Sequence, residues 1–420
     1  MSQLSIGVIA DDFTGATDIA GLLKRVGYRV IQIIGVPEDA GPYPPADAVV
    51  VALKSRTAPV DDAVSESLAA LDWFERRDVR QVIFKYCSTF DSTPAGNIGP
   101  VADALLDRTG EEIAVIIPAF PENGRTIYNG HLFVGDVLLE NSSMRDHPLT
   151  PMRQSDLTAL MHAQSRHSTG LVPFRVVEKG PQAVRNAMTG LRDAGHRYAV
   201  VDAIRDADLL TIGEALQDAR LITGGSGIAL GLGRSDARSS EFAESAAATG
   251  SSGRDLVLSG SCSERTREQV AHFRKAHPAL QLDPLALASE AGAAERALKW
   301  IAGQPSDRPV LVYSTEDPAG VRAAQDALGV AAAGKIVEDT LAAIAVGAAD
   351  AGVGRLIAAG GETSGAIVKA LGVNWLEIGT EIAPGVPWTR PGGEAPIQLA
   401  LKSGNFGGPR FFEEAFETPF

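Results

Sequence analysis

Cysteine is nearly absent from this chain: Cys87 and Cys262 are its two, far apart and in no CxxC pair. That excludes a disulfide-framed scaffold and a cysteine-ligated zinc site, and it leads us to expect a reducing, cytoplasmic setting. Cys87 reads as a small packing thiol. Histidine is sparse too, seven dispersed residues with no HExxH motif, so no permanent transition-metal site is expected. Positive charge is in deficit. The 38 Lys and Arg against 52 Asp and Glu leave a net −14, which argues against a nucleic-acid or anionic-membrane partner. A local basic pocket for an anionic metabolite stays open. No apolar run is long enough to span a bilayer, and the opening MSQLSIGVIADD lacks the basic region and apolar stretch of a signal peptide.

What is present is ordinary globular composition, 45% hydrophobic and 21% charged, over 420 residues. At ~100–200 residues per domain, two or three domains are expected. Strand-like and helix-like segments alternate from residue 4 to about residue 235, the pattern of a mainly parallel sheet covered by helices. Residues 234–254 turn small and polar, rich in Ser, Ala and Gly, and read as a linker. The expectation is an α/β protein of two domains, 1–245 and 246–420, each a mainly parallel sheet flanked by helices, with the active site in the cleft between them. Within this plan, 155–164 is predicted helical with Ser155 or Asp156 as cap, 171–177 a short strand, and 341–352 a helix.

Four predicted strands of the first half end in polar and charged residues. LSIGVIA empties into Asp11-Asp12-Phe13-Thr14-Gly15, before a helix whose expected cap is Asp11, Thr14 or Asp18. Adjacent carboxylates there suit hydroxyl binding, general-base work or metal binding. AVVVAL leads into Lys54, Ser55 and Arg56, and Arg suits bidentate carboxylate binding. VIF leads into Lys85, Ser88, Thr89, Asp91, Ser92, Thr93 and Asn97, a poor core but a good site for a small polyhydroxylated anion. IAVII, stopped by Pro118 and Pro121, leads into a long polar segment with Asn123, Arg125, Asn129 and His131. In open α/β sheets ligands sit at such strand ends.

The second half carries glycine turns. LIAAGGETSGAIVKALG reads as strand, turn and helix, and glycine there lets backbone N–H groups approach phosphate oxygens at a helix N-terminus. A branched side chain at Gly361 would fill space meant for phosphate and resist any positive φ the turn requires. The strand end Leu258-Ser259-Gly260-Ser261 and the loop Lys402-Ser403-Gly404-Asn405-Phe406-Gly407-Gly408 complete a phosphate pocket, with the Lys402 amine available to offset phosphate charge. The turn is neither a P-loop nor a GxGxxG fingerprint, which weighs against a dehydrogenase.

The segments ADDFTGATDIA, ALKSRT, FKYCSTFDST with GNIGP, PAFPENGRTIYNGHLFVGD, TGGSG, AAGGETSG and LKSGNFGG together resemble the four-carbon acid sugar kinases, in order and over nearly the whole chain. The KYCSTFDST and PAFPENGRT forms are similar to the branch acting on 3-oxo-tetronate. The resemblance implies ATP-dependent phosphorylation of the 4-hydroxyl of that acid, with Mg²⁺, in a sugar-acid domain followed by a nucleotide domain. It implies ATP contacts at Ser259, Gly360, Gly361, Glu362, Thr363 and Gly404.

On the acid side the expected substrate contacts are Asp11, Arg56, Lys85, Asn97 and Arg125. Arg56 and Lys85 hold the carboxylate, and Asp12, then Asp91, is the catalytic base. A kinase for threonate or erythronate, and a non-catalytic sugar-acid sensor, are the alternatives. The expected partners are small molecules, with no nucleic acid or membrane, and a homo-oligomer is possible.

Overall fold

The computed structural model describes residues 4–39, 41, 43–147, 150–233, 253–392 and 397–420. The chain divides into two compact units, Met1–Ser239 and Ser240–Phe420. The expected linker at 234–254 and boundary near residue 245 lie almost wholly outside the described residues.

Unit 1 contains β1 (Ile6–Ala10), α1 (Phe13–Arg25), β2 (Val30–Ile34), β3 (Ala48–Ala52), α2 (Val60–Glu75), β4 (Gln81–Lys85), α3 (Ile98–Thr109) and β5 (Ala114–Ile117). A small antiparallel sheet follows, β6 (Arg125–Tyr128), β7 (His131–Val134) and β8 (Val137–Leu138). The unit closes with α4 (Leu157–Gln164), β9 (Thr169–Val172), α5 (Phe174–Val177), α6 (Pro181–Asp193), β10 (Tyr198–Val201), α7 (Asp206–Ala215) and β11 (Leu221–Gly224). Its main strands run in the order β2-β3-β1-β4-β11-β5-β10-β9, all parallel. Every residue of β1, β3 and β4 is buried. That is why they read as continuous apolar runs: helices cover both faces of a parallel sheet.

Register puts the polar strand ends in one row. Ala10 pairs with Ala52 and Lys85, Lys85 with Gly224, and Gly224 with Ile117. The chain leaves β1 toward β2 on one side and β4 toward β5 on the other. The β1/β4 ends are thus a topological switch point, the crevice where such sheets bind ligands.

Two predicted elements of this unit need correction. The strand expected over 171–177 ends at Val172, and Phe174–Val177 form a helical turn. Pro173 lacks the N–H a continuing strand would use, and Asp202 accepts the Phe174 N–H at 2.8 Å. The long polar segment after Pro121 holds the hairpin β6–β7, turned by Asn129 and Gly130 at φ 49° and 77°. Asn-Gly is the strongest short hairpin signal in a sequence. Asn129 is therefore a turn residue, its backbone N–H held by Asp202 at 2.7 Å.

Unit 2 contains β12 (Arg254–Ser259), α8 (Glu264–Phe273), β13 (Ala279–Gln281), α9 (Pro284–Ser289), α10 (Ala293–Ala302), β14 (Val310–Tyr313), α11 (Pro318–Leu328) and α12 (Val330–Asp350). It ends with β15 (Val353–Ala359), α13 (Gly361–Ala370), β16 (Trp375–Ala383), β17 (Val386–Pro391), β18 (Gln398–Lys402) and α14 (Phe411–Glu417). Its strands run β13-β14-β12-β15-β18-β17-β16, parallel up to β18 and antiparallel through the last two. The helix expected from Leu341 starts at Val330 instead. Its first turns are alanine-rich and mostly exposed, so strong propensity extends it where no apolar stripe marks it. Trp388, Phe411, Phe412 and Phe273 fill the core beneath β17. Among the described residues no helix is long and apolar enough to cross a membrane.

Candidate active site

In unit 1 the switch point gathers five charged side chains. Asp11 and Asp12 follow β1, Lys85 ends β4, and Arg56 and Asp91 sit on the loops after β3 and β4. The Asp11 carbonyl accepts the backbone N–H groups of Ser55 and Arg56, which sets the Arg56 loop against β1. Arg56 then donates from Nε to Asp11 Oδ2 at 2.8 Å and from Nη2 to Asp11 Oδ1 at 2.9 Å and Asp12 Oδ1 at 2.7 Å. Its Nη1 lies 3.5 Å from Asp91 Oδ2, and Lys85 Nζ lies 3.5 Å from Asp12 Oδ1.

Three carboxylates thus surround two cations. Asp11, Lys85 and Asp91 are buried, while the side chains of Arg56 and Asp12 keep 22% and 21% exposure. Those two are the members of the cluster open to a ligand.

Asp12, and not Asp11, Thr14 or Asp18, caps α1. Its Oδ1 accepts the Gly15 N–H at 3.1 Å and its Oδ2 the Thr14 hydroxyl at 2.8 Å. Asp18 instead accepts the Ser226 hydroxyl at 2.6 Å. Burial pushes the Asp12 carboxyl up, but the Arg56 and Lys85 charges and these hydrogen bonds outweigh it and hold the group well below the carboxylate range. Asp12 is therefore a fixed, ionised acceptor, weakly basic. Burial pushes the Asp11 carboxyl up, against the pull of Arg56.

Arg56 and Lys85, expected to hold a substrate carboxylate, already have partners within the chain. Both face protein carboxylates, and most of the guanidinium donors are spent on Asp11 and Asp12. Asn97, expected as a substrate contact, has structural partners. Its Nδ2 donates to the carbonyls of Ser55 at 2.7 Å and Ala58 at 2.9 Å, so it fixes the Arg56 loop. Arg125 lies on β6, its Nη1 donating to the Asn123 carbonyl and its buried Nε without a hydrogen-bond partner among the described residues.

The loop carrying Asp91 is strained. Phe90 and Asp91 have φ of 62° and 25°, conformations costing about 1–3 kcal/mol each for residues with a side chain. The Thr89 hydroxyl donates to Asp91 Oδ1 at 2.7 Å, and the Phe90 ring is fully buried against Tyr86. Cys87 sits beside them as a thiol pushed up to about 12 by burial and then by Asp91, which removes it as a nucleophile.

Two supporting residues were missed in the sequence. A Cβ at Gly15 would lie 1.7 Å from Lys85 Nζ and 2.2 Å from Asp12 Oδ1, so any side chain there would displace both charged ends. A glycine in the first turn of an otherwise ordinary helix was its signal. Gln164 bonds the Gly99 N–H at 3.0 Å, the Ser92 hydroxyl at 3.2 Å and the Thr93 carbonyl at 2.8 Å, and nothing in its sequence context marks it.

In unit 2 the glycine turns also share a row: Ser259 pairs with Ala359, and Ala359 with Lys402. The Gly360 N–H bonds the Lys402 carbonyl at 2.8 Å, and the Gly260 and Ser261 N–H groups bond the Ala359 carbonyl at 3.1 Å. The three turns are therefore in direct contact. Among the described residues no side-chain cap is made at the N-cap of α13, Gly360, so the N–H groups of its first turn are left for a ligand, the arrangement that binds phosphate.

Positive φ falls on Gly360, at 125°, and not on Gly361, which begins the helix. A Cβ at Gly360 would meet Thr363 Oγ1 at 3.1 Å and the Ser261 nitrogen at 3.2 Å. Thr363 is buried in the first turn of α13 and Glu362 is exposed beside it. The Ser259 hydroxyl lies 2.8 Å from that of Thr315, beneath the turns. Gly404 is packed so closely that a Cβ would lie 2.7 Å from Ser261 Oγ. Lys402 is wholly buried below the Gly404 loop, not on the surface facing a ligand.

Family models assign these two halves separately. Residues 6–232 match a sugar-binding N-terminal domain and residues 256–412 a nucleotide-binding C-terminal domain. The chain belongs to the four-carbon acid sugar kinase family. Among its curated relatives are the 3-oxo-tetronate kinase of Burkholderia multivorans, 51% identical over 99% of this chain and 98% of that protein, and that of Cupriavidus necator, 51% identical over 98% and 96%. Two solved structures share the architecture. A Salmonella typhimurium LT2 protein superposes with a TM-score of 0.86 at 44% identity, covering 98% of both chains. A Haemophilus influenzae protein gives 0.75 at 45% identity, over 98% of this chain and 99% of that one. Membership of this family fits the division of labour in the geometry: a charged, hydroxyl-rich switch point in one unit and uncapped glycine turns in the other.

Proposed function

We propose that the protein is an ATP-dependent kinase that phosphorylates the 4-hydroxyl of 3-oxo-tetronate, giving 3-oxo-tetronate 4-phosphate and ADP. The observation that carries this reading is the half-identity, over nearly the full length, with proteins named 3-oxo-tetronate kinase. The two sites support it, since each suits one of the two substrates.

In this reading the nucleotide phosphates lie on the N-terminus of α13, against the turns at Ser259–Ser261, Gly360–Thr363 and Gly404. Mg²⁺ arrives as part of the ATP complex. Among the described residues no group of three His, Cys, Asp or Glu side chains is placed to hold a metal. The acid lies at the switch point of unit 1. Asp12 orients the 4-hydroxyl, and its low basicity is no obstacle because a loose phosphoryl-transfer transition state needs positioning more than early proton removal. Asp91, held by Thr89 and Arg56, is the second candidate. Arg56 fixes the three carboxylates, Asn97 fixes Arg56, and Arg125 is a basic residue available to the substrate carboxylate.

A coupled ADP-release assay over a panel of four-carbon acids tests this. The reading expects 3-oxo-tetronate to give the highest kcat/KM. Preference for threonate or erythronate would move the substrate within the family, and no ADP release with any of them would overturn the kinase.

A further inference from the structure

Lys402 is a fully buried lysine whose ammonium, among the described residues, bonds neutral oxygens and no carboxylate. Removing a lysine charge from water is costly unless its donors are satisfied. Here they are satisfied by neutral oxygens: Nζ donates to the carbonyls of Ser403 at 2.8 Å and Gly404 at 3.0 Å, and to Thr266 Oγ1 at 3.2 Å. An ammonium has three N–H bonds, and these use all three. The Lys402 side chain therefore has no donor to spare for a phosphate oxygen.

The effect is on the loop. The Gly404 carbonyl also accepts the Ser263 hydroxyl at 2.6 Å and the Thr266 hydroxyl at 2.8 Å, so three donors pull it toward the interior. The Ser403 carbonyl is held inward by Lys402 and by the Phe406 N–H at 3.2 Å. In a planar trans peptide the C=O and the following N–H point in opposite directions, and the described chain has no cis bond. Pinning the Ser403 and Gly404 carbonyls inward aims the N–H groups of Gly404 and Asn405 outward, beside the Gly360 turn, where they form an anion-binding concavity. Burial, with Arg265 adding to it, brings the Lys402 amine down to about 7, so an anion on the loop would favour its charged, three-donor form.

We infer that Lys402 is a positioning residue for the nucleotide phosphates: its buried ammonium turns the Ser403 and Gly404 carbonyls inward so that the N–H groups of Gly404 and Asn405 face the phosphate. This rests on the reading of unit 2 as the ATP site. The test is calorimetric titration of the full-length protein, its Lys402→Met variant and its Thr266→Val variant with Mg–ATP, alongside KM for both substrates and a melting curve.

Lys402→Met should weaken ATP binding by about tenfold or more. Its KM for the sugar acid should stay within about twofold of the parent, and its melting temperature should not fall, because methionine fills the space without a buried charge. Thr266→Val, which removes one donor from the Gly404 carbonyl, should weaken ATP binding in the same sense but less. A parent that binds ATP with a Lys402→Met variant that binds it equally well overturns this inference alone. If Lys402→Met does not fold, unchanged binding by Thr266→Val overturns it instead. A parent that binds no nucleotide overturns the kinase reading and this inference together.

Discussion

Asp12 does two jobs that can be separated by substitution. As the α1 cap it accepts the Gly15 N–H, and as a charged group it faces Arg56 and Lys85. Asparagine caps a helix about as well as aspartate, whereas alanine in place of a cap costs about 1 kcal/mol. Asp12→Asn should therefore fold and keep its cap yet lose turnover, on the order of a hundredfold, by removing the charged acceptor that orients the hydroxyl. Asp12→Ala should lose as much turnover and also melt earlier than Asp12→Asn. Steady-state kinetics and melting curves of the pair check this, and an Asp12→Asn enzyme within a few-fold of the parent would remove Asp12 from the mechanism. At this scale the sequence made the residue types legible but not their partners. Two carboxylates after β1 and a cation after β3 announced a charged site. That Arg56 would be claimed by Asp11 and Asp12, and Asn97 by backbone carbonyls, depends on loops meeting across three strands, which no local spacing encodes.

At the scale of elements, the glycine turn before α13 carries the clearest expectation. Gly360 alone combines φ of 125° with neighbours 3.1–3.2 Å from any added Cβ, while Gly361 has entered the helix. Gly360→Ala should cost about 1–3 kcal/mol of stability through backbone strain. It should also raise KM for ATP without raising that for the acid. Gly361→Ala should be mild on stability, since alanine is favoured inside a helix. Chemical denaturation and KM measurements of the two variants rank them, and a Gly361→Ala more damaging to stability than Gly360→Ala would contradict the geometry. The strand–glycine–helix order of this region was legible because each part has a strong local signal. The same holds for α6, which opens on Pro181, a favoured first helical residue. Elements without such signals were not legible: the turn of α5 sits on a β-branched stretch, and the start of α12 lacks an apolar stripe.

For the whole molecule, the account assigns the acid to one unit and the nucleotide to the other. The repeated restart of the strand–helix pattern made two units legible, and the family models leave residues 233–255 between them. Choice of substrate was not legible from charge or spacing, because hydroxyls, carboxylates and cations suit any small sugar acid. It came from long motifs and is the claim most in need of chemistry. Nuclear magnetic resonance of the reaction of 3-oxo-tetronate with Mg–ATP tests it most directly. The account predicts ADP and one new phosphate monoester whose phosphorus couples to the C4 methylene protons, with no ATP consumed when the acid is left out. Release of inorganic phosphate alone, or a phosphoryl group on any atom other than the C4 oxygen, would contradict it.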